Sequence, residues 1–140
     1  MISVTGVTGN YILQPELLEK HSKTLEWLST SMLWKAELVT FQKILDQRAH
    51  LLTTTDDKKK ISHFQNLITY YRGEVVDDLR KKLRDHEHKL AHMLEFKKES
   101  ETQYFKEHDS IMEQASTFSN LFKQFRTEFL ELTEKVKTVN

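Results

Sequence analysis

The chain of 140 residues contains no cysteine, a single proline and only three glycines. Without cysteine it can form no disulfide framework, no thiolate zinc site and no catalytic thiol. The scarcity of glycine and proline favours long helices, because these two residue types most often bend or end a helix. No apolar run is long enough to span a bilayer. The composition therefore predicts an all-α protein.

An excess of charge of one sign is also missing, because 21 lysines and arginines balance 21 aspartates and glutamates. Proteins that bind nucleic acid or anionic membranes usually present a strongly basic face. The N-terminal sequence MISVTGVTGNYILQ lacks the basic and apolar regions of a secretory signal. We therefore expect neither nucleic acid nor a membrane as a partner, and we expect a cytoplasmic location.

Apolar residues recur at intervals of three and four positions along most of the chain, which is the spacing of an amphipathic helix. Pro15 suits the first turn of a helix, and the threonines and aspartates of residues 53–57 are suitable caps between two helices. Short connections between long helices require antiparallel neighbours. The prediction is an elongated, antiparallel, up-down-up three-helix bundle. Its parts are an N-terminal arm over 1–14 and a single domain over 15–140, with helices over 15–52, 57–98 and 101–137.

The boundary between the second and third helices admits an alternative. Ser100 and Gln103 fit a capping box, but no glycine or proline enforces a turn there. Without a turn, one helix would run from about 57 to 137 and would have to pair with another chain. Long coiled-coil-like helices pairing in a dimer are therefore the alternative architecture.

The same spacing identifies the residues expected in the core. On the first helix one stripe is Leu18, His21, Leu25, Leu28 and Met32, and a second is Trp27, Trp34, Leu38, Phe41, Leu45 and Leu52. On the second helix the stripe is Ile61, Phe64, Ile68, Tyr71, Val75, Leu79, Leu83, His86, Leu90 and Met93, with Gly73 marking a kink or a close crossing. The third helix has the most regular stripe: Tyr104, His108, Ile111, Ala115, Phe118, Phe122, Phe125, Phe129, Leu132, Val136 and Val139.

Histidine is the one enriched residue type, with seven in the chain. His88 and His92 are four residues apart and share a helix face, and a turn near residue 100 would bring His108 level with His92. Imidazoles are common ligands of divalent metals such as zinc and iron. These three histidines are therefore a candidate metal site. The competing interpretation places His108 in the core and the other two on a solvated flank.

Large aromatic residues repeat every seven positions at Trp27, Trp34 and Phe41. Such a seam is either core or a protein interface, and we take it as the candidate interface, with a homodimer as the expected complex. No nucleotide-binding loop, zinc-protease motif or nucleophile elbow is present, so no catalytic residue and no cofactor other than a metal is predicted. The predicted function is a non-enzymatic interaction or structural module that self-associates through apolar helix faces, and a metal-binding bundle is the alternative.

Three short segments taken together resemble small all-helical proteins of Bacteroidetes that have no assigned activity. They are Leu25-Glu26-Trp27-Leu28, His63-Phe64-Gln65-Asn66 and Asp85-His86-Glu87-His88, within residues 20–95. The resemblance implies a bacterial, all-helical, single-domain protein. It implies no catalytic residue.

Overall fold

The computed structural model describes residues 7–8, 11–12, 15–96 and 101–135. These residues form an all-α fold with one short β-hairpin, so the predicted class is confirmed. The elements are β1 (Val7–Thr8), β2 (Tyr11–Ile12), α1 (Pro15–Arg48), α2 (Thr55–Tyr70), α3 (Val76–Phe96) and α4 (Glu101–Glu134). A 3₁₀ turn over Ala49–Leu51 follows α1, and a π-helical segment over Tyr71–Val75 joins α2 to α3.

The two strands form an antiparallel hairpin that pairs Val7 with Ile12 and Thr8 with Tyr11. They lie within the predicted N-terminal arm over 1–14.

The connection between α1 and α2 has a defined cap. The hydroxyl oxygen of Thr54 accepts a hydrogen bond from the backbone N–H of Asp57 at 3.0 Å, which satisfies one of the free amides of the first turn of α2. The first helix ends earlier than predicted, because the backbone tightens after Arg48 and Leu52 N donates to Ala49 O at 3.1 Å.

The chain divides into two compact units. Unit 1 comprises Met1–Ser31 and Leu79–Ala115, and unit 2 comprises Met32–Asp78 and Ser116–Asn140. Helices α1 and α4 therefore contribute residues to both units, and each unit is described by itself below.

In unit 1, α1 and α3 are antiparallel neighbours. Arg80 donates to the backbone oxygen of Leu28 at 3.1 Å, and His21 Nδ1 lies 2.6 Å from Glu87 Oε2. Later residues of α3 thus meet earlier residues of α1, which is the direction expected for an up-down pair.

Helices α3 and α4 are also antiparallel in unit 1. Lys82 donates to Gln114 at 2.8 Å, and the rings of His86 and His108 are joined by a 2.9 Å contact. One continuous helix from 57 to 137 cannot bring these pairs together, so the alternative architecture is wrong. The capping box predicted at Ser100 falls partly outside the described residues.

In unit 2, α1 and α4 run in the same direction. The ring of Trp34 packs on Phe118 with centroids 4.9 Å apart, and Phe41 packs on Phe129 at 4.8 Å. Progress along α1 is thus matched by progress along α4. The buried aromatic side chains of unit 2 are Trp34, Phe41, Phe64, Tyr71, Phe118, Phe122, Phe125 and Phe129.

Helix α2 and the π-helical segment run antiparallel to α4 in unit 2. Lys135 donates to Asp57 at 3.0 Å near one end, and Tyr71 packs edge-on against Phe118 at 5.0 Å further along. The hydrogen bond from Lys135 is the main cause that holds the pKa of Asp57 below its usual value. Three helical segments therefore pack against one another within unit 2.

One predicted stripe of α1 is partly wrong. Leu25 and Met32 are 41% and 57% exposed. The neighbouring Thr24 and Ser31 are buried instead, and each hydroxyl donates to a carbonyl oxygen of the preceding turn, at 2.9 and 2.7 Å. A hydroxyl that bonds its own helix is inexpensive to bury, so these small residues take the inward positions.

The π-helical segment changes which residues of the second predicted helix face the core. Val76 is fully buried, whereas Val75, the predicted core residue, is only half-buried. The step from Tyr71 to Val76 spans five residues because the backbone N–H of Val76 bonds to the Tyr71 oxygen. Gly73 lies within this wider turn and is exposed, with no atom near the position of a Cβ. Its role is therefore not a close helix crossing.

The stripe predicted for α4 is confirmed over the described residues. Every predicted member from Tyr104 to Leu132 is buried. Val136 and Val139 lie outside the described residues.

Candidate functional site

Unit 1 contains a buried network of titratable side chains centred on His86. The ring of His86 is completely buried, its Nδ1 lies 2.7 Å from Glu107 Oε1, and its Nε2 lies 2.9 Å from His108 Nδ1. The phenol ring of Tyr104 stacks on a face of the His86 imidazole, with centroids 4.2 Å apart and ring planes at 7°. His86, Tyr104 and His108 occupy core-facing positions of the apolar stripes of α3 and α4, which explains why these three side chains are buried, whereas Glu107 is about one-third exposed.

The partners of the network define its tautomers. An ionised Glu107 only accepts, so His86 Nδ1 donates to it, and in a neutral ring this leaves a lone pair on His86 Nε2. His108 then donates from Nδ1 to that lone pair. The result is a relay of carboxylate, imidazole and imidazole with both rings neutral.

Electrostatics support the neutral rings. Burial lowers the pKa of His86, although Glu107 acts in the opposite direction. Burial, together with the positive charge that His86 would carry, lowers the pKa of His108 to about 4. Burial alone would raise the pKa of Glu107, but hydrogen bonds from Lys89 and His86 bring it below its usual value.

A second polar group in unit 1 involves α1. His21 Nδ1 lies 2.6 Å from Glu87 Oε2, within ion-pair distance, but no hydrogen bond of acceptable geometry joins them. Burial raises the pKa of Glu87 and also that of Tyr104. Within the part of the chain that the structure describes, the buried Tyr104 hydroxyl has no hydrogen-bond partner. Each of the three helices of unit 1 therefore supplies one buried histidine, namely His21, His86 and His108.

A cavity of about 500 Å³ lies beside this network between α3 and α4. It is lined by His88, Lys89, His92, Met93, Gln103, Tyr104 and Glu107. Its opposite charges are already paired, since Lys89 donates to Glu107. The cavity has the size of a small-molecule site, but its charges favour neither an anion nor a cation.

The predicted three-histidine metal site is not assembled. His88 and His92 are exposed and line the cavity, whereas His108 is buried and hydrogen-bonded to His86. Over residues 15–96 and 101–135, no three histidine, aspartate or glutamate side chains are grouped to hold a metal ion. Periodicity alone places His108 level with His92 but does not show that its ring turns towards His86.

The predicted aromatic interface requires correction as well. Trp34 and Phe41 are buried in the aromatic core of unit 2, and each contacts Phe122. Trp27 is half-buried in unit 1. Trp34 and Phe41 therefore belong to the core of unit 2 rather than to an exposed interface.

Unit 2 instead exposes large apolar residues beside a well-formed ion pair. Arg126 donates to both carboxylate oxygens of Glu37 at 2.8 Å, from Nε and Nη2. Leu33 lies one turn before Glu37 on α1 and is 64% exposed, and Leu130 lies one turn after Arg126 on α4 and is 40% exposed. Residues four apart share a helix face, so apolar groups flank the ion pair at both ends. We call Leu33, Glu37, Arg126 and Leu130 the α1–α4 surface.

Comparison with protein-family models, with curated proteins and with solved structures finds no match to this chain. Among the described helices, none combines the length and the apolar content needed to cross a bilayer.

Proposed function

We propose that the protein is a non-enzymatic helical interaction module that forms a homodimer through the α1–α4 surface of unit 2. The observation that carries this proposal is the exposure of Leu33 and Leu130 on either side of the Glu37–Arg126 pair. Arginine is enriched at protein interfaces, and the buried centre of an interface is more apolar than the rest of the surface.

The surface is self-complementary, which favours a second copy as the partner. A two-fold symmetric contact must bring one patch against the same patch of the other molecule. An acidic and a basic side chain lie side by side at its centre, so Glu37 of one copy can face Arg126 of the other without like charges meeting. The flanking leucines then lose exposure to water, which supplies the hydrophobic part of the association.

Light scattering on the full chain over roughly a hundredfold range of concentration tests the proposal. We expect the molar mass to rise from that of the 16.7 kDa monomer towards twice that value. The double variant Leu33→Gln/Leu130→Gln should raise the dissociation constant by about tenfold or more, because it replaces two exposed leucines at the contact.

Leu121→Gln is the matched control, because Leu121 lies on α4 with 51% exposure but outside the α1–α4 surface. This control should associate like the unmodified chain. A monomer at every concentration, or an equal loss of association in the control, would contradict the proposal.

We place this module in a bacterial cytoplasm, in line with the resemblance and with the balanced charge.

A further inference from the structure

We propose that the His86–His108 pair makes unit 1 an acid-sensitive module, in which proton uptake by the pair opens the packing of α3 against α4. This role goes beyond self-association, since none of its residues belongs to the α1–α4 surface. The geometry that carries it is the direct 2.9 Å contact between two imidazoles that are 0% and 4% exposed.

The pair can hold one added proton with its hydrogen bonds intact. A protonated His86 donates through Nδ1 to Glu107 and through Nε2 to His108, once His108 has moved its own proton to Nε2. A second proton removes the remaining lone pair, so two N–H groups face each other at hydrogen-bond distance. The contact then becomes a repulsion between two buried cations.

The surroundings of the pair oppose its protonation more than they assist it. Burial is the largest effect and lowers the pKa of both rings, and the positive charge of Lys20 on α1 lowers both further. Lys89 on α3 adds to this effect at His86, whereas Glu107 opposes it there. The charged and titratable groups nearby are Lys20 and His21 on α1, Glu87 and Lys89 on α3, and Tyr104, Glu107 and Asp109 on α4.

Proton uptake is therefore favoured when the pair separates and the rings meet water. The pKa of His108 is about 4 in the packed state and returns to its ordinary value of 6.5 when the ring is hydrated. At about pH 5 this difference favours the open state by about thirtyfold relative to neutral pH. Unit 2 provides an internal reference, because no histidine among its described residues is buried.

Hydrogen–deuterium exchange of the full chain, followed by mass spectrometry at about pH 7.5 and about pH 5, tests the inference. Rates are divided by the intrinsic exchange rates at each pH. Protection in residues 79–95 and 103–115 should fall by about ten- to thirtyfold at the lower pH, and protection in residues 116–134 should change much less. An unchanged unit 1, or an equal loss in both segments of α4, would overturn the inference.

The variant His108→Asn retains a side-chain N–H for His86 but cannot take up a proton. It should reduce the effect of pH on unit 1 by at least about threefold, and the exposed control His88→Asn should keep the full effect. A full effect in His108→Asn would overturn the inference. If this variant does not fold, NMR titration of the His108 ring in the unmodified chain tests the inference instead. A His108 pKa near the ordinary value of 6.5 in the folded protein would overturn the inference.

Discussion

Trp34 of α1 meets Phe118 of α4 edge-on, with ring planes at 79° and centroids 4.9 Å apart. This pairing places the indole inside unit 2, where it is 4% exposed. Trp34→Ala should therefore reduce the free energy of unfolding by about 3–5 kcal/mol, through lost burial and a cavity. Chemical denaturation followed by circular dichroism measures this loss.

The adjacent Leu33 provides the control for that substitution, because it is 64% exposed. Leu33→Ala should change the free energy of unfolding by about 0.5 kcal/mol or less under conditions where the protein is monomeric. A Trp34→Ala protein as stable as Leu33→Ala would mean that the aromatic seam is not core.

Gly73→Ala is expected to stabilise the protein. Gly73 is exposed within the π-helical segment, and an added Cβ would meet no atom within 4 Å beyond the adjacent backbone of its own helix. Alanine restricts the unfolded chain and favours helical backbone, so the gain should be about 0.5–1 kcal/mol. Thermal unfolding should show a higher midpoint for the variant. A lower midpoint would indicate that the wider turn requires backbone angles that alanine resists.

The Glu37–Arg126 pair should contribute only modestly to the stability of one molecule. Both side chains are about one-third exposed, so water and salt screen their attraction. A double-mutant cycle with Glu37→Gln and Arg126→Gln should give a coupling energy of about 0.5–1 kcal/mol in the monomer. The coupling should decrease as salt is added. A coupling of several kcal/mol that does not respond to salt would disagree with this exposure.

The stability of the chain should fall as the pH is lowered from neutrality. The pKa of His108 is about 4 when folded and 6.5 when unfolded, so the unfolded chain binds more protons between these values. As the pH is lowered, the contribution of His108 therefore decreases the free energy of unfolding from about pH 6.5 down to about pH 4, and below that pH it causes no further decrease. The loss due to His108 is at most about 3 kcal/mol.

Urea denaturation at a series of pH values measures this loss. The slope against pH should be smaller for His108→Asn than for the unmodified chain. The pKa of Glu87 is raised in the folded protein, so the folded state binds the extra proton near the titration of this carboxyl. This increases the free energy of unfolding as the pH falls there and reduces the observed slope of stability against pH. A stability that stays constant from neutral pH to about pH 4 would contradict the buried neutral state of His108.

The sequence is most informative about α4. Its gaps alternate between three and four, and bulky residues such as Phe118, Phe122 and Phe125 fill most of the positions, so this face is the one that is buried. The helix direction in each unit follows from short connections, which is why the up-down-up order was predictable. The all-α class follows from the near absence of helix-breaking residues.

Other features depend on geometry that periodicity does not contain. Thr24 and Ser31 are polar by type but satisfied within the helix, so a pattern based on apolar residues selects Leu25 and Met32 instead. The spacing of the histidines shows which of them are level with each other. It does not show that the ring of His108 bonds to another imidazole.

The π-helical segment has a consequence for the length of the chain. From Phe64 to Met93 the buried positions follow steps of three and four, except that the step from Tyr71 to Val76 is five. Removing one residue at Gly73 would convert that step to four, so the neighbouring helices would keep the same inward side chains. The segment between residues 55 and 96 could therefore be one residue shorter and still turn the same side chains inward.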